Sequence, residues 1–192
     1  MKSIILASAS PRRKELLEKL GLEFEVVPSD FEENINSADK PFDLAITLSE
    51  GKAQAVALKY KNHIIIAADT FIIFNNKIIG KPKDHLEAIE MLKELNGEQV
   101  SAITGFTIID SSNNKKISKV DETKIYLRKL SEKEIISYVN TGEPLDKAGA
   151  FAVQGRGAAM VEKIDGDFFN IVGLPLFELS ETLKEFGIYP FQ

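Results

Sequence analysis

Short apolar runs alternating with amphipathic stretches predict an α/β fold, a mixed twisted sheet with flanking helices. Three observations carry this. Ile4 to Ala7 is a short apolar strand that runs straight into a helix opened by Pro11. Ile64-Ile65-Ile66-Ala67-Ala68 is continuously apolar and β-branched at its start, the pattern of a strand covered on both faces. Val100–Asp110 and Ile117–Leu127 read as strands joined by the polar turn Ser111–Lys116. With 192 residues there is enough chain for one substantial core, or for two small lobes around a cleft, and residues 1–192 are expected to form a single domain.

Composition narrows the function. The chain is 44% hydrophobic and 28% charged, ordinary for a globular protein, and its net charge is −5. A general nucleic-acid binder is usually basic, so any phosphate is expected to be gripped at a focal site, with no nucleic-acid partner. The absence of cysteine excludes disulfides, thiolate nucleophiles and Cys-ligated zinc. His63 and His85, the two histidines, are too few for a His-rich metal centre. No apolar run approaches the ~20 residues that span a bilayer, and no basic segment with a long apolar core opens the chain, so the expected location is cytoplasmic, without a membrane partner.

The elements follow in order. After the first strand, Ser8-Ala9-Ser10 leads into a helix in which Ser10 is a good N-cap and Pro11 occupies the first helical position. First-turn amides and the positive end of the helix dipole then favour an anion such as phosphate. Arg12 and Arg13 add planar donors that grip phosphate oxygens in pairs. The same run also reads as a solvated basic helix start. Leu16, Leu17 and Leu20 are the apolar side of this helix, and Gly21 ends it. Phe24 to Val27 is a strand. Ser29 to Asn34 is either a solvated acidic loop or a pair of carboxylates able to help hold a divalent cation.

Asp43 to Tyr60 is a long helix; Lys52 in its middle has no role on spacing alone. The central strand is expected to end at Asp69-Thr70, where a carboxylate can hold Mg²⁺ or take a proton from water; it also reads as a simple turn cap. Phe71–Phe74 and Lys77–Ile79 form a hairpin around Asn75-Asn76, and Gly80-Lys81-Pro82 holds Lys81 as a second phosphate contact. Asp84 to Leu95 is a helix with Leu86, Ile89, Met91, Leu92 and Leu95 on its buried side. Ser131-Glu132-Lys133-Glu134 opens another helix with a capping box. Thr141 to Gly155 is a Gly- and Ala-rich stretch carrying Asp146, Lys147 and Gln154, whose amide suits a planar base edge; it also reads as a tight loop and strand. Met160 to Ile164 is a strand, and Leu176 to Phe186 is the final helix.

Taken together, Ser8-Ala9-Ser10-Pro11-Arg12-Arg13, Ala68-Asp69-Thr70, Gly80-Lys81-Pro82, Gly142-Glu143-Pro144-Leu145-Asp146-Lys147-Ala148-Gly149-Ala150-Phe151, Gln154-Gly155 and Val172-Gly173-Leu174-Pro175-Leu176 resemble the Maf family over almost the whole length. The resemblance implies a fold of two lobes around a central cleft, similar to the inosine triphosphatases (Maf/Ham1 fold), and commonly a homodimer. It implies a nucleoside triphosphate pyrophosphatase that uses a divalent cation, Mg²⁺, Mn²⁺ or Co²⁺, to release pyrophosphate and the monophosphate.

By the same resemblance Asp69 is the general base and Glu33 the acidic loop residue near the metal, and Asp69, with help from Glu33, is expected to hold the cation. Arg12, Thr70 and Gln154 are linked to substrate choice, while Arg13, Lys52, Lys81 and Lys147 contact phosphates. Ser8 and Ser10 complete the expected substrate-binding set. The Asp-Lys-Ala-Gly-Ala-Phe and Gln-Gly pattern resembles the branch acting on dTTP and UTP. The chain departs from the family pattern at Ala67 and Phe151, where glycine and tyrosine are common. Two other readings stay open: a nucleotide-binding regulator of cell division with incidental hydrolysis, and a purine-directed housecleaning hydrolase.

Overall fold

The computed structural model describes residues 2–32 and 40–190. In chain order the elements are β1 (Ser3–Leu6), α1 (Pro11–Glu18), β2 (Phe24–Val26), α2 (Pro41–Ala57), β3 (His63–Phe74), β4 (Lys77–Ile79), α3 (His85–Glu94), β5 (Gln99–Asp110) and β6 (Lys115–Leu127). Then come α4 (Glu132–Val139), three short 3₁₀ segments at Glu143–Asp146, Ala148–Ala150 and Arg156–Met160, β7 (Val161–Asp165), α5 (Phe168–Val172) and α6 (Leu176–Lys184). The strand order is β2-β1-β3-β5-β6-β7, with β4 also on β3. β1 is parallel to β2 and β3, whereas β4 and β7 pair antiparallel with β3 and β6, so the sheet is mixed.

The chain divides into two compact units, one of Met1–Thr70, Thr104–Asp121 and Phe169–Gln192, the other of Phe71–Ile103 and Glu122–Phe168. In the first, side chains alternate along extended backbone, so Ile5 of β1, Ala7 just beyond it, and Ile65 and Ala67 of β3 share a face. Ala53, Val56 and Ala57 of α2 close over that face, with Ile109 of β5. The opposite side, Ile4, Leu6, Ile64, Ile66 and Ala68, is equally buried, which is why the run carries no polar alternation. Ser10 caps α1 by accepting from the Arg13 amide, with Pro11 in the first turn, and Leu16 and Leu17 are its buried residues. α2 starts at Pro41 rather than Asp43, because proline fits the first turn, and stops at Ala57.

In the second unit, Asn75 and Asn76 adopt positive φ of 48° and 61°, turning β3 into β4. The expected hairpin forms, with Ile72 opposite Ile79 and Phe74 opposite Lys77. Asp84 caps α3 by accepting from the Glu87 amide at 2.9 Å. Leu86 does not join the buried side: it is 73% exposed, and the buried stripe is Ala88, Leu92 and Leu95, spaced by four and three residues. The capping box on α4 forms as expected between Ser131 and Glu134. α5 has no counterpart in the sequence reading, since five residues are too few to show a helical period.

Candidate active site

β3 does not end at Asp69-Thr70; it runs unbroken to Phe74. What ends there is its parallel neighbour, because β1 pairs only as far as Leu6 opposite Ile66. Asp69 and Thr70 therefore lie beyond the carboxyl end of β1, where its loop departs. Adjacent strand residues point to opposite faces. Asp69 follows Ile65 and Ala67 onto the α2 side, and Lys52 sits one helical turn before Val56 on that helix. The two meet as an ion pair, with side chains 14% and 12% exposed. Burying a carboxylate this deeply requires a partner, and Lys52 supplies it.

Thr70 takes the other face. Arg13 on α1 donates from Nε to the Gly173 carbonyl at 2.9 Å, from Nη2 to Thr70 Oγ1 at 3.2 Å and from Nη1 to Ser8 Oγ at 3.4 Å. Thr104 of β5 donates its hydroxyl proton to the Asn170 carbonyl at 2.9 Å. That proton is then committed, so at 2.9 Å Thr70 is the donor to Thr104. The result is a directed chain: Arg13 to Thr70, Thr70 to Thr104, Thr104 to Asn170. It fixes the guanidinium plane and commits the Thr70 proton away from any ligand.

Ser8 Oγ accepts from the Ser10 amide at 3.2 Å and from Arg13, which leaves its own proton as a donor. Ser10 Oγ caps the helix through the Arg13 amide at 3.5 Å. Arg12, half-buried, makes no side-chain hydrogen bond or ion pair among the described residues, so its guanidinium is uncommitted. This cluster brings together Ser8, Ser10, Arg13 and Thr70, four of the residues expected at a substrate site, with Thr104, Asn170 and Gly173. A buried strand hydroxyl and a backbone carbonyl carry no spacing signal, so nothing in the sequence pointed to Thr104 or Asn170; Gly173 stands in the Val172–Leu176 motif, but nothing there showed that its carbonyl would hold Arg13.

The second unit holds Lys81, Lys147 and Gln154. The Gly149 amide donates to the Gly80 carbonyl at 3.0 Å, laying the segment that carries Lys81 beside the one that carries Lys147. Lys81 is exposed between exposed Gly80 and buried Pro82, while Lys147 pairs with its neighbour Asp146. Gln154 is exposed at the tip of a turn. Glu33, the expected second metal ligand, lies outside the described residues. Among the described residues no three His, Cys, Asp or Glu gather into a metal cluster, so Asp69 is the described carboxylate of the predicted set. No helix among them is long and apolar enough to cross a membrane.

Residues 3–186 match the family model for Maf-like proteins. A dTTP/UTP pyrophosphatase of Methanosarcina barkeri is 50% identical over 193 residues, covering 100% of this chain and 98% of its own. One from Thermoanaerobacter pseudethanolicus is 49% identical over 187 residues, covering 96% and 97%. Among solved structures, the Staphylococcus aureus Ham1 protein aligns with TM-score 0.44 and 18% identity over 66% of this chain and 72% of that one.

Proposed function

Because this chain belongs to the Maf family, we propose that it is a nucleoside triphosphate pyrophosphatase acting on dTTP and UTP, as its relatives at 45–50% identity are named. The observation that carries the reading is the pairing around two adjacent residues of β3. Asp69 holds Lys52 on one face, and Thr70 holds Arg13 on the other. A carboxylate set beside fixed cations is what hydrolysis of a phosphoric anhydride requires, since positioning and electrostatics dominate that chemistry.

In the proposed reaction Asp69 accepts a proton from a water that attacks the α-phosphorus. The bond from that phosphorus to the bridging oxygen breaks, releasing the monophosphate and pyrophosphate. Arg13 and the uncommitted Arg12 bind phosphate oxygens, with the Ser8 hydroxyl and the first-turn amides capped by Ser10 as further donors. Lys52 orients Asp69 and, with Lys81 and Lys147, offsets charge on the departing pyrophosphate. Gln154 reads the base edge. The donor set suits a hard cation such as Mg²⁺, Mn²⁺ or Co²⁺, which takes one or two carboxylates alongside phosphate oxygens; Asp69 would hold it, with Glu33 as the second. When bound, that cation would neutralise phosphate charge. A cytoplasmic homodimer with a housecleaning role completes the reading.

The test is pyrophosphate release from dTTP, UTP, CTP, GTP and ATP with Mg²⁺ or Mn²⁺. Selective turnover of dTTP and UTP is expected, and Asp69→Asn should lower it by at least ~10², the scale of a positioned base. No release from any nucleotide would overturn the reading in favour of a binding protein.

A further inference from the structure

The Gly142 to Gly157 stretch contains a buried construction that none of the phosphate-contacting roles uses. Tyr138, on α4 and 8% exposed, donates its hydroxyl proton to Glu143 Oε1 at 2.9 Å and accepts from the Ala152 amide at 3.1 Å. The same Glu143 carboxylate accepts from the Arg156 amide through Oε2 and from the Gly157 amide through Oε1, both at 2.9 Å. Backbone on either side of Gln154 is therefore tied to one carboxylate and one phenol. Gln154 itself is exposed at the crest.

Two glycines belong to this construction. A Cβ on Gly155 would lie 2.3 Å from Glu143 Oε2, and one on Gly157 would lie 2.6 Å from the Tyr138 hydroxyl oxygen. Only glycine lets the backbone come that close. Protonation states agree with the geometry. Burial pushes Glu143 up, but the amides of Gly157 and Arg156 and the Tyr138 hydroxyl outweigh it and hold the carboxyl below its ordinary range. Burial, then the bond to Glu143, pushes the Tyr138 phenol above its ordinary range, so it stays a donor.

We propose that Glu143 and Tyr138 are positioning residues that hold the Ala152–Gly157 turn so that Gln154 meets the substrate base in one orientation, making base selectivity depend on a carboxylate that does not touch substrate. This rests on the pyrophosphatase reading and on Gln154 as the base reader. A glutamine on a loose turn satisfies several base edges with little preference. Held at Ala152, Arg156 and Gly157, it offers its donor and acceptor at fixed points. A site built to hydrogen-bond one edge rejects the others because its polar groups would go unpaired.

Glu143→Gln is the informative variant. It keeps shape but turns an amide NH₂ toward a backbone N–H or the phenol proton, breaking at least one tie. The preference for dTTP and UTP over CTP, as the ratio of kcat/KM values, should fall about tenfold, the scale of one hydrogen bond, mainly through KM. Tyr138→Phe should move the ratio the same way. Amide hydrogen exchange at residues 152–157 should quicken in both. Gln154→Ala should itself collapse the ratio, and adding Glu143→Gln to it should change the ratio little, because both act through one contact.

Unchanged selectivity in folded Glu143→Gln and Tyr138→Phe proteins, or additive loss in the double variant, would overturn the positioning role while leaving Gln154 as reader. Unchanged selectivity in Gln154→Ala would overturn both roles. Absence of turnover in the unmodified protein would overturn the activity they rest on.

Discussion

At the scale of single residues, the consequential ones are hydroxyls and carboxylates whose partners decide what they can do. Thr104 is fully buried and hands the Arg13–Thr70 link on to the Asn170 carbonyl. Thr104→Val keeps the shape, leaving the Asn170 carbonyl without that donor and Thr70 without that acceptor. The cost in denaturant unfolding is expected to be about 1–3 kcal/mol. Because Arg13 loses its support, kcat/KM should fall by about 3- to 10-fold, and Thr104→Ser, which keeps the hydroxyl, should restore it. Equal activity in the valine and serine variants would separate Thr104 from Arg13. The cap, the proline and the double arginine were legible because each acts locally in sequence. Lys52 was not, since its partner is 17 residues away. In retrospect two periods point to the pair: Lys52 and Val56 share a helix face, and Ala67 and Asp69 share a strand face. Thr104 had no such signal.

At the scale of elements, the helices were legible where caps mark them, and the strands where apolar runs do. The error at β3 has a physical cause. A charged residue seldom sits inside a strand covered on both faces, so Asp69 read as a stop; its pairing with Lys52 lets the strand continue through it. Helix α4 shows how a cap ties an element to solution conditions. Glu134 accepts from the Ser131 amide and hydroxyl, both at 2.8 Å, and from Arg128 at 2.9 Å. The Ser131 amide first, then Arg128 and the Ser131 hydroxyl, lower its pKa from 4.5 to about 2. A folded-state pKa below the unfolded one contributes stability above the unfolded value and loses it as pH falls through the folded one. The difference in urea midpoint between the wild type and Glu134→Gln should therefore be full at pH 6 and shrink from pH 4.5 toward about 2. A difference that does not vary with pH would assign the effect to packing rather than to charge. Ser131→Ala, which removes the cap itself, should cost about 1 kcal/mol.

At the scale of the whole molecule, the two compact units are not two stretches of sequence. Three of their four boundaries fall inside strands, between Thr70 and Phe71 in β3, Ile103 and Thr104 in β5, and Asp121 and Glu122 in β6, and the fourth, between Phe168 and Phe169, falls at the start of α5. The first unit is assembled from three separate segments and the second from two. Neither exists as a contiguous piece of chain that can fold before the other is made. Unfolding one unit would strip from a third to two thirds of each shared strand, and a strand cut short loses pairing that its remainder relied on for register. This connectivity predicts that residues 1–192 behave as one cooperative domain, although a 192-residue chain in two compact units is of a size at which intermediates become common. Differential scanning calorimetry should show one transition, with calorimetric and van't Hoff enthalpies in agreement, and urea unfolding followed by far-ultraviolet circular dichroism and by tyrosine fluorescence should give coincident curves. Two resolved transitions would mean that the two parts of β3, β5 and β6 separate energetically, and the chain would then count as two domains sharing strands.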